Sequence, residues 1–185
     1  TPSRWSLMVP YTPQAPYNNW SGPRQNACEE AALLMVHDYL RGDTRSDIPA
    51  DEADAALGAM QQWQVDNWAG ETDLTMVRTG QLARAYYGHS YQVQPATTDA
   101  IMAAIRAGSP VSVPVMTHSL NNPNYGPQDV YHVLLIIGYD QNGVITNDSG
   151  VMQGQGWVYS WATLFQAIDA QTLQQQGRVM LTVAR

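Results

Sequence analysis

Apolar positions follow two different periods along the chain, and the change of period falls near residue 108. Up to that point apolar side chains recur every three or four positions, which is the spacing of helices, whereas beyond it they alternate or run together as in strands. The first part predicts helices at about 28–40, 51–64, 72–87 and 98–107. The second part predicts strands at about 110–117, 130–139, 144–148, 156–159 and 179–183, and a helix at 160–170.

The run from 130 to 139 is almost continuously apolar, which is typical of a central strand that is buried on both faces. Asp140-Gln141-Asn142-Gly143 follows it and predicts a hairpin turn into the next strand. Because helices come first and hairpin-linked strands come second, the pattern indicates an α+β fold with an antiparallel sheet. We expect one domain over residues 1–185, with a helical half at about 26–108 and a sheet half at about 110–185.

Cys28 is the only cysteine in the sequence, and it opens the first predicted helix. Asn26 is a suitable capping residue, and Glu29 and Glu30 lie in the first turn, where the helix dipole favours negative charge. A thiol at the positive end of a helix has a lowered pKa, which favours the reactive thiolate. The alternative is that Cys28 is a small buried hydrophobic side chain without chemistry.

The segment before this helix, residues 7–27, contains four prolines and several asparagines, which predict turns and extended backbone instead of a helix. It carries side-chain amides that could donate hydrogen bonds near Cys28. Gln14 is the candidate we favour, and Gln25 and Asn19 are its rivals.

Composition excludes several classes of function. The net charge is -7 and all nine basic residues are arginine, which argues against a nucleic-acid or anionic-membrane partner. No apolar run reaches the roughly 18 residues of a membrane span. One cysteine excludes an internal disulfide, and His37, His89 and His118 show no metal-ligand spacing, so we expect neither metal nor cofactor.

His132 and Asp148 are predicted to lie near one another. His132 begins the most apolar strand, and Asp148 ends the strand that pairs back against it after the turn at 140–143. Side chains at the same end of two paired strands can reach hydrogen-bond distance. Taken singly, His132 is better explained as a packed core histidine, and Asp148 is explained as an ordinary turn-forming aspartate.

Together with Cys28, these two residues form the set that nucleophilic catalysis by a thiolate needs. The imidazole accepts the thiol proton, and the carboxylate orients the ring and stabilises its charge. An oxyanion requires donors as well, for which the Cys28 backbone N–H and the Gln14 amide are candidates. Glu29 and Glu30 lie about 100° and 200° around the helix from Cys28, so we expect both to point away from the sulfur and His132 to outweigh them.

Four segments in order resemble a known family. They are Val9-Pro10-Tyr11-Thr12-Pro13-Gln14-Ala15-Pro16, Ala27-Cys28-Glu29-Glu30-Ala31, Tyr131-His132-Val133 with Ile137-Gly138-Tyr139-Asp140, and Ile145-Thr146-Asn147-Asp148-Ser149-Gly150. The chain resembles papain-like cysteine peptidases, specifically the domain family related to the bacteriocin-processing, double-glycine leader peptidases. The resemblance implies a papain-like fold with Cys28 as nucleophile, His132 as base, Asp148 as orienting carboxylate and Gln14 as oxyanion donor. Asn147 is a rival of Asp148 for the orienting role.

We therefore expect a cysteine peptidase that cleaves a peptide or protein substrate through a thioester, with the loop at 119–129 at the rim of its cleft. One alternative is an acyltransferase that passes the same thioester to an amine. Another is a catalytically silent peptide-binding module of the cell envelope. Composition and the habit of the family suggest a bacterial protein that acts as a monomer outside the cell or in the cell envelope. The N-terminus lacks the pattern of a signal peptide.

Overall fold

A computed structural model describes residues 4–171 and 176–185. In these residues the α-helices are α1 (Cys28–Leu40), α2 (Ala50–Trp68), α3 (Met76–Tyr87), α4 (Thr98–Arg106) and α5 (Trp161–Ala170). The strands are β1 (Trp5–Ser6), β2 (Ser90–Pro95), β3 (Val111–Met116), β4 (Tyr131–Tyr139), β5 (Val144–Asn147), β6 (Gln155–Tyr159) and β7 (Val179–Ala184). Short 3-10 helices span Gly22–Asn26 and His118–Leu120.

The strands form one antiparallel sheet in the order β2-β7-β3-β4-β5-β6, and β1 pairs with the end of β4. The predicted α+β class and antiparallel sheet are therefore confirmed. The backbone N–H of Asp140 donates to the carbonyl of Gly143 at 2.9 Å, which closes the predicted hairpin turn between β4 and β5.

Strand β4 is the centre of the core, as its apolar run predicts. All nine of its residues are buried. Val133 and Leu135 point to the core formed with α1, α2 and α3, whereas Leu134 and Ile136 point to the core formed with α4 and α5. Because α1 packs on one face of β4, the first residue of α1 is brought against the first residues of β4.

The start of α3 differs from the prediction. The helix begins at Met76 and not at residue 72, because Thr75 is its N-cap and accepts a hydrogen bond from the Arg78 N–H. Asp73, which was expected in the first helical turn, has φ of 53°. That left-handed conformation cannot belong to a right-handed helix.

Two predictions about the segment before α1 were wrong. A 3-10 helix forms at Gly22–Asn26 because Pro23 occupies one of its first positions, where a missing N–H costs nothing. Asn26 is the last residue of that helix, so it does not cap α1. The N-cap is Ala27, which provides no side-chain hydrogen bond.

Strand β2 was not predicted. Its sequence, Ser90 to Pro95, is half polar, and it forms the edge of the sheet against β7. It lies between α3 and α4, within the predicted helical half. Among the residues that the structure covers, no helix combines the length and apolar character that a bilayer crossing requires.

Candidate active site

A cleft of about 720 Å³ opens where the start of α1 meets the start of β4. Cys28, His132 and Gln14 all line it. The rest of its wall comes mainly from the 3-10 segment before α1, the loop that precedes β4 and the turn that follows β5. Residues 124–129 of the predicted rim loop are part of this wall.

Cys28 is the first residue of α1 and is only 3% exposed. The first N–H groups of a helix have no partner within the helix, so they remain available to a ligand or an oxyanion. The backbone N–H of Val133, which directly follows His132 in β4, lowers the pKa of the thiol. Helix α1 and strand β4 therefore hold the thiol beside the histidine backbone.

His132 and Asp148 form a buried pair. His132 Nε2 lies 2.9 Å from Asp148 Oδ1, and the two side chains are 3% and 0% exposed. Asp148 comes directly after β5, whose hairpin connection returns the chain to the end of β4 where His132 lies. Because Asp148 occupies Nε2, Nδ1 is the ring nitrogen left for proton exchange in the cleft.

The Asp148 carboxylate accepts further hydrogen bonds. Oδ1 accepts from the Tyr125 hydroxyl at 2.7 Å and the Gly150 N–H at 3.1 Å, and Oδ2 accepts from the Tyr159 hydroxyl at 2.6 Å. Burial raises the pKa of Asp148, but the hydrogen bond and positive charge of His132 and the two tyrosine hydroxyls outweigh burial, so the pKa is lowered overall. The aspartate is therefore held in its charged form.

The backbone at Asp148 is fixed both by the segment that precedes α1 and by the turn that follows β5. The Tyr11 hydroxyl donates to the Asp148 carbonyl at 3.1 Å, and the Asp148 N–H donates to the Gly154 carbonyl at 2.9 Å. Asn147, the rival ring-orienting residue, uses its amide to donate to the Val9 carbonyl at 3.1 Å. Asn147 therefore anchors that segment, and Asp148 is the residue that accepts the hydrogen bond of the His132 ring.

Gln14 lies in the cleft wall, but its amide is already engaged. Its Nε2 donates to the carbonyls of Arg24 and Gln25 at 3.0 and 2.9 Å. The rival Gln25 is exposed and also lines the cleft, whereas Asn19 is absent from the described lining. Bringing Gln14 to an oxyanion requires one of its N–H groups to leave a carbonyl, so its role stays a prediction.

The expectation that Glu29 points away from Cys28 was wrong. Its Oε2 lies 3.1 Å from the Cys28 sulfur, and the side chain is 1% exposed. The pKa of the thiol is raised well above its usual range by burial first and then by the charge and hydrogen bond of Glu29, although the Val133 N–H lowers it. The predicted lowering of the thiol pKa by the helix N-terminus is therefore wrong for this environment.

Tyr125 and Tyr159 were not identified from the sequence. They lie 23 and 11 residues from Asp148, and only the tertiary fold brings their hydroxyls to the carboxylate. The one available signal was that Tyr125 falls within the predicted rim loop. The Tyr159 hydroxyl in turn accepts a hydrogen bond from the buried Asn122 amide at 2.7 Å.

The other histidines lie outside this cleft. His37 Nδ1 is 2.9 Å from His89 Nε2, and the His37 ring stacks on Tyr87 with the ring centroids 3.9 Å apart. His118 is exposed and is absent from the described lining of the cleft. In the described ranges, no group of three or more His, Cys, Asp or Glu side chains is arranged to hold a metal ion.

Comparisons with known proteins agree with this fold. Nineteen chains of solved structures match, among them a Bacillus anthracis protein provisionally described as a C39-like peptidase. That structure has a TM-score of 0.63 and 15% sequence identity, and the match covers 98% of each chain, so the likeness shows a shared fold. No curated protein matches the chain. A sequence model described as the Peptidase_C39 like family matches residues 6–175, and the chain therefore belongs to that family.

Proposed function

We propose that the protein is a cysteine peptidase that hydrolyses peptide bonds through a thioester on Cys28. The observation that carries the proposal is the buried hydrogen bond from His132 to Asp148 in the cleft that Cys28 lines. A buried imidazole held by an ionised carboxylate beside a thiol is the arrangement that activates a sulfur nucleophile. Membership of the Peptidase_C39 like family supports the same chemistry.

In the proposed mechanism, His132 Nδ1 takes the Cys28 proton and the thiolate attacks the carbonyl carbon of the scissile bond. The imidazolium then gives its proton to the leaving amine, which departs and leaves an acyl-thioester. Water, deprotonated by His132, attacks this thioester and releases the acid and the free thiol. Asp148 keeps the ring in position and stabilises its positive charge through both proton transfers.

The tetrahedral intermediates need donors for their oxyanion. The backbone N–H of Cys28 is one, because the helix leaves it without an internal partner. We assign the second to Gln14, whose amide moves from the Arg24 or Gln25 carbonyl toward the oxyanion when substrate binds. This assignment predicts that a Gln14→Ala variant retains binding but cleaves more slowly, by about 100-fold.

The cleft suggests which peptides are preferred. Its described lining includes the carboxylates of Asp73 and Asp129 and no arginine side chain. Peptides with cationic or neutral side chains therefore meet less electrostatic repulsion than acidic peptides do. We propose basic and neutral peptide segments, in extended conformation, as the substrate class.

The experiment is digestion of a synthetic peptide library, with products identified by mass spectrometry. We expect the wild-type protein and the His118→Ala variant to cleave the library, because His118 is exposed and lies outside the described lining of the cleft. Cys28→Ser and His132→Ala should lose activity by a factor of about 1,000 or more. Cleavage that persists in Cys28→Ser would refute the proposal, and products joined to an added amine would indicate acyl transfer.

A second candidate is a peptide-binding module without catalysis. The contact between Glu29 and the sulfur favours it, because this carboxyl group lies at 3.1 Å and opposes thiolate formation whenever it is ionised. This candidate predicts that the wild-type protein and Cys28→Ala bind library peptides with equal affinity and that neither cleaves them.

A further inference from the structure

Glu29 is buried beside Cys28, and both oxygens of its carboxyl group accept hydrogen bonds. Oε2 accepts a hydrogen bond from the Cys28 thiol at 3.1 Å, and Oε1 accepts one from the Leu74 N–H at 2.7 Å. Leu74 lies in the loop before α3, so two separate elements fix the carboxyl group. A buried charge is costly unless it is paired, and the described salt bridges of the arginines all go to other carboxylates.

A second buried acid adjoins this group. Glu30 is 3% exposed, its Oε1 accepts from the Gln64 amide of α2, and its Oε2 has no hydrogen-bond partner among the described residues. Burial raises the pKa of Glu30, although the Gln64 hydrogen bond and, less strongly, the charge of Arg24 lower it. Two neighbouring buried carboxyl groups do not both ionise readily, because each charge disfavours the other.

The other titratable groups near Glu29 come from β4 and from the loop before α3. Tyr131 of β4 donates its hydroxyl to the Leu74 carbonyl at 2.8 Å, and its own pKa is raised by burial first and then by the charge of Glu29. Asp73 precedes Leu74 and adds a further carboxyl group at the cleft wall. His132 of β4 faces the same cleft and forms its hydrogen bond with Asp148.

These surroundings favour the neutral form of Glu29. Its pKa is raised to about 8, by burial first and then by the charge of Glu30. At neutral pH most molecules therefore carry a proton on this carboxyl group. A neutral carboxyl group can donate its O–H to an anionic acceptor, whereas the ionised form can only accept.

We propose that Glu29 is a positioning residue that controls the ionisation of Cys28. With its proton on Oε2, it donates a hydrogen bond to the thiolate; without it, the carboxylate accepts the S–H and returns the sulfur to the thiol. The proton that leaves Cys28 goes to His132, and Glu29 keeps its own proton. Formation of the thiolate–imidazolium pair therefore leaves the total number of protons bound to the site unchanged. The inference rests on the proposed role of Cys28 as nucleophile.

The test is the rate of Cys28 alkylation by iodoacetamide between pH 6 and 10, followed by intact mass. In the wild-type protein the rate should be level near pH 7 and fall about tenfold by pH 9, as Glu29 ionises. Glu29→Gln cannot ionise and its amide can still donate to the sulfur, so its rate should change less than about twofold over the same range. Peptide cleavage, where present, should follow the same pH profiles.

Glu30→Gln is the matched control, since it removes the neighbouring buried charge and leaves Glu29 in place. Because the Glu30 charge raises the pKa of Glu29, this variant should show the same fall in rate at a lower pH. A wild-type rate that rises steadily from pH 7 to 9, or a fall that Glu29→Gln retains, would overturn the inference. If Glu29→Gln does not fold, an unshifted profile in Glu30→Gln overturns it.

Failure of the proposed function gives a different result. Alkylation that depends on Glu29, without any peptide cleavage, would overturn the proposed peptidase function but support the control of the thiol by Glu29. Peptide cleavage with an alkylation profile that is independent of Glu29 would support the peptidase and overturn the control of the thiol by Glu29.

Discussion

The two oxygens of the Asp148 carboxylate are unequally bonded, so removing its two tyrosine partners should have unequal effects on stability. Oδ1 accepts from Tyr125, Gly150 and His132 at 2.7, 3.1 and 2.9 Å. Oδ2 accepts from Tyr159 alone in the described residues, at 2.6 Å. Tyr159→Phe therefore leaves Oδ2 buried without a donor, whereas Tyr125→Phe leaves Oδ1 with two donors.

The expected losses follow from these contacts. A hydrogen bond to a buried charged group contributes about 1.5 to 3 kcal/mol, and Tyr159→Phe also removes the acceptor of the buried Asn122 amide, which adds about 1 kcal/mol. The free energy of unfolding should therefore fall by about 2.5 to 4 kcal/mol in Tyr159→Phe. In Tyr125→Phe it should fall by about 1 kcal/mol, because this half-buried side chain lines the cleft and water can take its place.

Urea unfolding at pH 7 of the wild-type protein and the two variants measures these losses. A carboxyl group whose folded pKa is lowered contributes stability above its unfolded pKa and loses it as the pH falls through the folded value. Tyr159→Phe raises the folded pKa of Asp148, so its deficit should be largest at neutral pH and shrink below about pH 4. Equal losses in the two variants, or a loss below about 1 kcal/mol in Tyr159→Phe, would refute this reasoning.

Two further predictions concern the backbone around Asp148 and the histidine pair outside the cleft. An added Cβ at Gly154 would lie 1.8 Å from the Asp148 carbonyl oxygen, so Gly154→Ala should lower the melting temperature by several degrees. Gly126→Ala is the control and should leave the melting temperature unchanged, because an added Cβ there has nothing within 4 Å. Equal melting temperatures in the two variants would contradict this prediction. Burial and then the charge of His89 lower the pKa of His37 to about 4. The unfolded chain therefore binds a proton at this histidine at a higher pH than the folded protein does, and stability should fall as the pH drops from about 6.5 to 4. His37→Gln should reduce the difference in unfolding free energy between pH 7 and pH 5 by about 1 kcal/mol after solvent screening, and an unchanged difference would contradict it.

The elements that position the site could be predicted because their signals are local. The continuous apolar run gives β4, the Asp140–Gly143 turn gives the hairpin, and the alanine- and leucine-rich stretch gives α1. Each of Cys28, His132 and Asp148 lies at or next to the end of one of these elements. Short-range patterns therefore sufficed to place His132 near Asp148, whereas the placing of Cys28 beside them came from the chemistry of the set and from the resemblance to the family.

The environment of the thiol could not be predicted in this way. The partners that bury Glu29 and Glu30 are the Leu74 N–H and the Gln64 amide, which lie 45 and 34 residues away in the chain. Helical angles gave the direction of each Cα–Cβ bond, but a glutamate side chain is long enough to turn back toward its neighbour. Whether a carboxyl group in a first helical turn faces solvent is decided by tertiary packing.

Strand β2 shows the same limit for the fold. Its alternation of Tyr91 and Val93 with polar residues is short and ends in a proline, so its pattern is weak. It becomes a strand because β7, more than 80 residues later, offers it a free edge. Edge strands with one exposed side carry less apolar signal than central strands such as β4.

The central claim is that Cys28 is the nucleophile and that His132 accepts its proton. The most direct test is the iodoacetamide labelling rate of native protein at pH 6, compared with His132→Ala; Cys28 is the only cysteine, so every adduct reports on it. Because His132 accepts the thiol proton, we expect measurable labelling at pH 6 in the wild-type protein and labelling at least about tenfold slower in His132→Ala. Slow labelling that rises only near pH 8.5 or above in both proteins would contradict it and leave Cys28 as a packing residue.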